Sequence, residues 1–229
     1  EKTISKTLAY RGSILGCDGR VLASTVPFYE VRMDCSVPDD LMLNRYLGDL
    51  SVALSRLFED KSAAAYEQEI TRARVEKKPG YRNLELGNRL VSYDELQKIR
   101  EFPIFNQGQF KGGLIVNQKE KRIYPYGRMA YRTIGYISED EQTGVGIEYA
   151  YNAYLKGNPG KDRVRRRSGD DKWVPVSSQP EVAPKDGLDI VTTIDISIQG
   201  AAESALREQL SIDSTFEGAT TVVMEVGTG

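Results

Sequence analysis

The clearest periodic pattern in the chain is a stripe of leucines in its first third. The leucines are Leu43, Leu47, Leu50, Leu54 and Leu57. Their spacings of four and three residues are typical of one face of an amphipathic helix. Asp39 and Asp40 follow Pro38 and can cap this helix. A second helix is predicted over residues 63–75. The tetrapeptide SYDE at residues 92–95 is a capping-box pattern, which predicts a third helix.

The amino-terminal pattern is that of strands. Two short apolar pairs flank the turn dipeptide Asp18-Gly19, so a β-hairpin is predicted over residues 11–25. Residues 28–35 then alternate with a period of two, as in a half-buried strand. Two more short strands are predicted at residues 82–86 and 113–117.

The next part of the chain combines a helix with a hairpin. Apolar residues recur at helical spacing over residues 147–155, and Gly157 suits the end of that helix. A hairpin is predicted over residues 162–176, with its turn at residues 168–170.

The last part is predicted to contain a linker, two strands and a helix. Residues 177–187 form a proline-containing linker, and residues 188–194 form a strand. Asp195 can cap a helix that runs to Leu210. Residues 219–226 are predicted as a final strand.

The segment from Arg122 to Ile137 fits neither a helix nor a strand. Pro125 fixes one backbone angle and Gly127 permits a turn that other residues resist, so the two frame a rigid corner. Tyrosines such as Tyr124 supply apolar bodies with polar tips. Arg122 and Arg128 flank the corner with fixed positive charge.

These patterns together predict the α+β fold class. Residues 36–115 are predicted to form a compact α/β insert, and the β-rich remainder consists of residues 1–35 and 116–215.

Composition excludes several classes of function. The chain has 229 residues and a net charge of −2, so no global field favours nucleic acid or an anionic membrane. Histidine is absent, which excludes Ser-His-Asp catalysis and zinc sites that need imidazole. Cys17 and Cys35 can form one disulfide, although two unpaired small apolar residues is the favoured interpretation. No metal or cofactor is expected.

Clusters of like charge offer weak candidates for a site. Acids beside the basic run at residues 163–167 favour a solvated hairpin over a nucleic-acid groove. Acidic groups at residues 38–40, 138–141 and 169–171 could serve a glycan hydrolase only if two carboxylates opposed each other across a cleft. Acids among turn residues are usually exposed caps.

The sequence also lacks the usual nucleophile and phosphate motifs. No serine is followed three residues later by lysine, and Lys-Thr-Gly does not occur. Gly144 and Gly146 lack the third glycine of a dinucleotide-binding fingerprint. We therefore predict no catalytic residue in this chain.

A structural role suits the charged residues around the corner better. Glu148 stands at the start of a predicted helix, where a carboxylate complements the helix dipole. Arginine side chains such as Arg122 could meet Glu148 and nearby backbone carbonyls, which would lock remote segments together. Independent surface charges fit the same spacing equally well.

Four motifs resemble those of class B penicillin-binding proteins, in that family's order. Residues 11–23 resemble the Arg-Gly-x-Ile motif that opens its non-catalytic half, and residues 122–137 resemble its Arg-x-Tyr-Pro-x-Gly motif. Residues 144–160 are similar to its Gly-x-Glu-x-x-Tyr-x-x-x-Leu-x-Gly motif. Residues 187–206 resemble the Thr-Ile-Asp segment that leads into the transpeptidase domain. The FtsI-like, division-specific type is most similar, and an elongation-specific type is the competitor.

The sequence departs from the family pattern in two places. Gly16 and Cys17 stand where the family has Asp-Arg, so an ion pair based on those residues is absent. The resemblance also implies that residues 216–229 begin the transpeptidase domain and that its Ser-x-x-Lys nucleophile lies further downstream. This chain is therefore not expected to bind penicillin covalently.

The resemblance implies a role in cell-wall synthesis. A membrane helix is expected before Glu1. Residues 1–35 and 116–215 are expected to form an elongated, β-rich pedestal or linker on the periplasmic face of the cytoplasmic membrane, with residues 36–115 as its inserted α/β head subdomain. The expected partners are a SEDS-type glycan polymerase, other division proteins and the protein's own transpeptidase domain, with no nucleic acid. The whole protein is expected to cross-link peptidoglycan stem peptides through a serine acyl-enzyme.

Residue by residue, the resemblance implies structural rather than catalytic sites. Arg11, Arg122 and Glu148 are the expected interlocking cluster. The other positions expected to have structural or interdomain roles are Gly12, Tyr124, Pro125, Gly127, Gly144, Gly146 and Asp195. Two alternatives stay open at this point: a hydrolase with a carboxylate pair, and a free-standing module that binds glycan or protein.

Overall fold

The structure is a computed structural model that describes residues 2–7, 9–76, 81–138, 140–166, 173–175, 181–212 and 218–228. Helices and strands are interspersed along the chain, so the predicted α+β fold class is confirmed. In the part of the chain described, no helix is long and apolar enough to cross a bilayer. Cys17 is exposed and Cys35 is buried, and both are free thiols.

The strands are numbered in chain order: β1 (Lys2–Thr7), β2 (Ile14–Leu15), β3 (Val21–Met33), β4 (Leu84–Glu85), β5 (Leu114–Ile123), β6 (Tyr136–Ile137), β7 (Gly144–Val145), β8 (Gly160–Arg166), β9 (Trp173–Pro175) and β10 (Ile190–Val191). The helices are α1 (Asp40–Phe58), α2 (Ala63–Glu76), α3 (Tyr93–Glu101), α4 (Gln109–Gly112), α5 (Tyr131–Ile134), α6 (Gly146–Ala150), α7 (Asn152–Leu155) and α8 (Ile196–Ile212). Two 3-10 turns lie at Tyr81–Asn83 and Phe105–Gln107.

The strands form three sheets. Strand β8 pairs antiparallel with both β1 and β9. A second, mixed sheet has the order β10-β2-β3-β4, in which β10 is parallel to β2, and β5 also pairs with β3. Strands β6 and β7 form a small antiparallel pair.

The chain divides into two compact units. The first contains Glu1–Thr25 and Arg122–Gly229, and the second is the continuous segment Val26–Lys121. Strands β3 and β5 carry the chain between them. The predicted head, residues 36–115, falls entirely within the second unit.

The second unit is built around one contiguous apolar core. The leucine stripe of α1 supplies much of it, because four of its five members are buried and Leu57 packs against them. Burial of a side chain of this size stabilises the fold by roughly 1.5–3 kcal/mol. The buried residues contributed by the neighbouring elements include Val31, Met33, Tyr66, Ile70, Leu96, Ile99 and Phe105.

Local signals in the sequence explain where the helices of this unit begin. The Asp39 carboxylate accepts a hydrogen bond from the Met42 N–H and caps α1. Ser92 and Glu95 form the predicted capping box at the start of α3, with both reciprocal hydrogen bonds present. Both of these caps, each predicted from residues close together in the sequence, are therefore confirmed.

The first unit has a smaller apolar core. Its buried members come from the β2–β3 hairpin, from the short helices α5 and α7 and from the first residue of α8. They are Ile14, Leu22, Ala23, Ile134, Leu155 and Ile196. The hairpin is the predicted one: Gly19 has a φ of 81° in its turn, a backbone conformation that glycine adopts easily.

One predicted helix needs correction. The helix expected over residues 147–155 is divided into α6 and α7, because Tyr151 leaves helical geometry at φ −105° and ψ 19°. The break changes which side chains face the core. Leu155 is buried as predicted, whereas Ala150, Tyr151 and Tyr154 are exposed.

The predicted strand at residues 219–226 is also wrong. Residues 218–228 contain no strand, and Val222, Val223, Met224 and Val226 are exposed. A β-branched apolar run becomes a strand only where a neighbouring strand satisfies its backbone groups, and none of the described strands pairs with it.

Other strands have bounds that differ from those predicted. The hairpin strand and the strand at residues 28–35 are one continuous strand, β3. Residues 82–86 contribute only the short β4, and residues 188–194 only β10. The hairpin predicted over residues 162–176 is present as the β8–β9 pair, while its turn and residues 177–180 of the linker lie outside the described residues.

Candidate functional site

Two arginines and one glutamate meet in the interior of the first unit. The Arg11 Nε and Nη2 atoms donate hydrogen bonds to Glu148 Oε2 at 2.8 and 2.7 Å. The Arg122 Nε atom donates to the other carboxylate oxygen, Oε1, at 2.8 Å. The structure thus places together three residues that are separated by 111 and 26 positions, counting from 11 to 122 and from 122 to 148.

The cluster is shielded from water. The Glu148 side chain is 1% exposed, and those of Arg11 and Arg122 are 17% and 16% exposed. Two guanidinium groups share one carboxylate, so the cluster carries an excess positive charge. Burial lowers the pKa of the Arg122 guanidinium, although the Glu148 carboxylate opposes that shift.

Backbone and side-chain oxygens hold the guanidinium groups in place. Arg122 Nη1 donates to the Gly12 carbonyl at 2.7 Å and to Thr25 Oγ1 at 3.0 Å. Arg11 donates to the Glu148 carbonyl at 2.9 Å and to Asn152 Oδ1 at 2.5 Å. The Arg122 Nη2 atom is buried without a partner among the described residues. These directional bonds tie the strand β5, the segment before β2 and the helix α6 to one another.

Sequence reasoning missed Asn152 and Thr25. A usable signal existed for Asn152, since it follows Glu148 by four residues and shares its face on a helical turn. No local pattern points to Thr25, because its partner lies 97 residues away.

Glu148 is positioned by close packing of the backbone around Gly144 and Gly146 against residues 133–136. Gly146 has a φ of 68° and begins α6, and a Cβ atom there would lie 2.4 Å from the Thr133 carbonyl oxygen. Gly144 faces a similar restriction, because a Cβ atom would meet the Tyr136 carbonyl oxygen at 2.6 Å. Glu148 then falls in the first turn of α6, where a carboxylate complements the helix dipole.

The Pro-Tyr-Gly corner follows Arg122 directly. The Gly127 N–H donates to the Tyr124 carbonyl at 2.9 Å and closes the turn, while Pro125 is exposed. The Tyr124 hydroxyl donates to the Gly135 carbonyl at 3.3 Å. Burial, followed by the nearby Glu148 carboxylate, raises the pKa of Tyr124.

The tyrosines around this corner differ in burial. Tyr124 is partly buried, whereas Tyr126, Tyr131 and Tyr136 are exposed. Arg128 is exposed as well and makes no bond to Glu148. The apolar contacts of this segment with the core are made instead by Tyr124, Met129, Ala130 and the buried Ile134.

The two remaining predicted positions are Gly12, whose carbonyl accepts a hydrogen bond from Arg122, and Asp195, which lies outside the cluster. A Cβ atom on Gly12 would meet the Leu188 carbonyl oxygen at 2.0 Å, so only glycine fits there. The Asp195 carboxylate accepts hydrogen bonds from the Ser197 and Ile198 N–H groups at 2.8 and 3.0 Å, which caps α8 as predicted.

At the hairpin turn, Gly16 and Cys17 replace the Asp-Arg pair of the family motif, and Arg20 forms an ion pair with Asp18 instead. Arg20 pairs with Asp18 at 2.5 Å and donates to the Ser197 hydroxyl at 2.9 Å. Arg20 therefore links the turn to the first residues of α8. Sequence reasoning did not identify this arginine.

The acidic groups that could suggest a hydrolase serve local structure. Asp39 caps α1, and Asp40 pairs with Arg74 at 2.6 Å. Asp140 accepts a hydrogen bond from the Ser138 hydroxyl, and Glu141 pairs with Lys156. Residues 169–171 lie outside the described residues. Within the described part of the chain, no group of three or more candidate metal ligands occurs.

Comparison with known proteins gives the family. The profile of the Penicillin-binding Protein dimerisation domain matches residues 6–192. The chain belongs to this family.

Relatives identified by sequence agree with this assignment. The peptidoglycan D,D-transpeptidase FtsI of Escherichia coli K12 is 25% identical over 96% of this chain. The probable peptidoglycan D,D-transpeptidase PenA of Neisseria meningitidis serogroup A is 31% identical over 50% of it. These matches cover only 34% and 20% of the relatives, so the chain spans about a third or less of their length.

Solved structures support the same fold. Penicillin-binding protein 2X from Streptococcus thermophilus superposes over 91% of this chain and 32% of its own, with a TM-score of 0.62 and 17% identity. Penicillin-binding protein PBP2 of Helicobacter pylori, solved in complex with MreC, superposes over 91% of this chain and 39% of its own, with a TM-score of 0.55 and 18% identity.

Proposed function

We propose that this chain is the non-catalytic pedestal of a peptidoglycan D,D-transpeptidase that acts in septal cell-wall synthesis. In this proposal the pedestal stands on the periplasmic face of the cytoplasmic membrane. It positions the transpeptidase domain and binds other proteins of the division machinery, a SEDS-type glycan polymerase among them.

The buried cluster of Arg11, Arg122 and Glu148 carries the proposal. Its hydrogen bonds consume both carboxylate oxygens of Glu148 and leave no free base or nucleophile. What the cluster does is to join three segments that carry the family motifs. A scaffold needs such a junction, because catalytic and binding groups must be held in fixed positions by rigid elements.

The septal role rests on likeness to relatives. Two Escherichia coli relatives that match nearly the whole chain are named FtsI, and FtsI proteins of Buchnera aphidicola match shorter parts of it. The complex of the Helicobacter pylori protein with MreC supports the idea that a protein containing this fold binds another protein.

Reaction with a fluorescent penicillin tests the non-catalytic assignment. The chain of 229 residues is expected to remain unlabelled, because no serine stands in a Ser-x-x-Lys motif. The parent protein with its downstream sequence is expected to be labelled at one serine. Labelling of the isolated chain, or no labelling of the parent, would contradict the proposal.

Localisation of the parent protein tests the septal role. A fluorescent fusion expressed from the native promoter is expected to concentrate at midcell during division. Uniform signal along the lateral wall, with loss of rod shape rather than filamentation after depletion, would indicate the elongation-specific alternative.

A further inference from the structure

A small groove lies in the second unit between α1 and the segment that follows α3. Its volume is about 260 Å³, which is below the roughly 300–1,000 Å³ typical of small-molecule pockets. Met42, Tyr46 and Asp49 line one wall, and they share one face of α1 by their spacing. The facing wall is formed by Glu101, Pro103, Ile104, Asn106 and Gln107.

The groove combines an apolar floor with an acidic rim. Met42, Pro103 and the buried Ile104 supply the apolar surface. Asp49 and Glu101 are exposed, and among the described residues neither forms an ion pair or a hydrogen bond through its side chain. Glu101 is also the last residue of α3, where the carbonyl end of the helix adds partial negative charge.

The nearest basic side chain on α1 does not neutralise this rim. The Arg45 guanidinium lies over the Tyr46 ring, 5.2 Å from its centroid, and forms no salt bridge with Asp49. The carboxylates of Asp49 and Glu101 can therefore bind a cationic group of a partner molecule. The side-chain amides of Asn106 and Gln107 in the facing wall add further oxygen acceptors.

The facing wall is held in a strained conformation. Ile104 has a φ of 70° and a ψ of −51°, which is rare for a β-branched residue and costs on the order of 1–3 kcal/mol. Its carbonyl accepts a hydrogen bond from the Gln107 N–H, and a Cβ on Gly112 would lie 2.1 Å from the same oxygen. The wall is thus fixed before any ligand arrives.

We propose that this groove binds an arginine side chain of a short peptide segment in a protein partner. The apolar stem of the arginine packs on Met42 and Ile104, while its guanidinium faces Asp49 and Glu101. Arginine suits the groove better than lysine, because its planar fork can also donate to the amide oxygens of the rim. The inference rests on the proposed function only in assuming that a protein partner exists.

Methionine methyl NMR on the whole chain tests the proposal. The chain has four methionines, and only Met42 lines the groove, so Met33, Met129 and Met224 serve as internal references. The probe is the peptide acetyl-Leu-Arg-Leu-amide. Its titration is expected to give a saturable shift of the Met42 ε-methyl signal and no shift of the Met129 and Met224 signals.

Matched variants identify the charged contacts. The double variant Asp49→Asn/Glu101→Gln is expected to bind the peptide roughly tenfold more weakly, since each lost charge-assisted hydrogen bond removes part of the affinity. Glu67→Gln/Glu208→Gln changes the net charge equally at exposed positions and is expected to bind like the parent.

Three results would overturn the proposal. The first is an unchanged Met42 signal up to the solubility limit of the peptide. The second is equal affinity for a peptide with norleucine in place of arginine, which would show a merely apolar groove. The third is a Met42 shift that follows protein concentration without peptide, which would indicate a second copy of the chain. None of these results bears on penicillin labelling, so the proposed pedestal function is tested separately.

Discussion

The two units are stabilised in different ways. The second unit encloses a large cluster of aliphatic and aromatic side chains, with charged residues at helix caps and on the surface. The first unit has a smaller apolar core and buries a carboxylate between two guanidinium groups. Apolar packing is non-directional and tolerates small adjustments, whereas a buried ion cluster requires every partner. The two units should therefore respond differently to single substitutions.

The largest effect is expected for Glu148→Ala. This change leaves two largely buried guanidinium groups facing each other without a carboxylate, at a cost of about 3–5 kcal/mol. Urea unfolding followed by circular dichroism measures the loss. The exposed Glu208→Ala on α8 is the control and is expected to change stability by less than about 0.5 kcal/mol. Equal stability of the two variants would show that the cluster contributes nothing to folding.

A substitution that creates a cavity in the core of the second unit is expected to cause the next largest loss of stability. Leu54→Ala removes a fully buried member of the leucine stripe and should cost about 3 kcal/mol. Leu41→Ala on the same helix is the control, because that side chain is 84% exposed. Hydrogen exchange is expected to show lost protection in α1 and α2. Protection lost only in α6 and α7 would contradict the assignment of Leu54 to this core.

Arg122→Ala is expected to cost less than Glu148→Ala, about 1–3 kcal/mol. Glu148 keeps its bonds to Arg11 in this variant. The loss comes from the Arg122 bonds to Glu148 Oε1, the Gly12 carbonyl and Thr25. Arg122→Lys should recover only part of the stability, because an ammonium group lacks the guanidinium fork. A full recovery would show that charge alone matters at this position.

The smallest expected effect concerns the capping box. Hydrogen bonding from Arg89 lowers the pKa of Glu95 from its usual 4.5 to about 2. A carboxylate with a lowered folded-state pKa stabilises the fold above the unfolded value, and the contribution disappears as the pH falls from 4.5 towards 2. Because the pair is partly exposed, the contribution is about 1 kcal/mol.

Glu95→Gln tests this pH dependence, because glutamine keeps the capping-box pattern while removing the charge. The variant is expected to be less stable than the parent at neutral pH and equally stable near pH 2, as measured by urea unfolding across that range. A constant difference at all pH values would place the effect in packing instead.

The sequence predicted what depends on neighbours in the chain. The leucine stripe, the cap at Asp39, the capping box at Ser92 and the hairpin at Asp18-Gly19 all concern residues a few positions apart. The break at Tyr151 was missed, because the helical spacing of residues 147–155 continues through it. The strand predicted at residues 219–226 failed because a strand also needs a partner that sequence periodicity cannot supply.

In the candidate site too, some contacts could be predicted from sequence motifs and others depend on the folded backbone. Family motifs pointed to Arg11, Arg122 and Glu148, and the structure places them in contact, while their role in the parent protein stays a proposal. Thr25 and the Gly12 carbonyl were not predictable, since each is brought to Arg122 only by the folded backbone. The positive φ of Ile104 has no sequence signature either, because isoleucine avoids that conformation.

The two-to-one ratio of arginine to glutamate has a consequence for how this family can diverge. Losing either arginine leaves a neutral pair, whereas losing the glutamate leaves two like charges without a counter-ion. Along an evolutionary lineage, position 148 should therefore be the last of the three to vary. A change at position 11 or 122 can come first and still leave a foldable descendant.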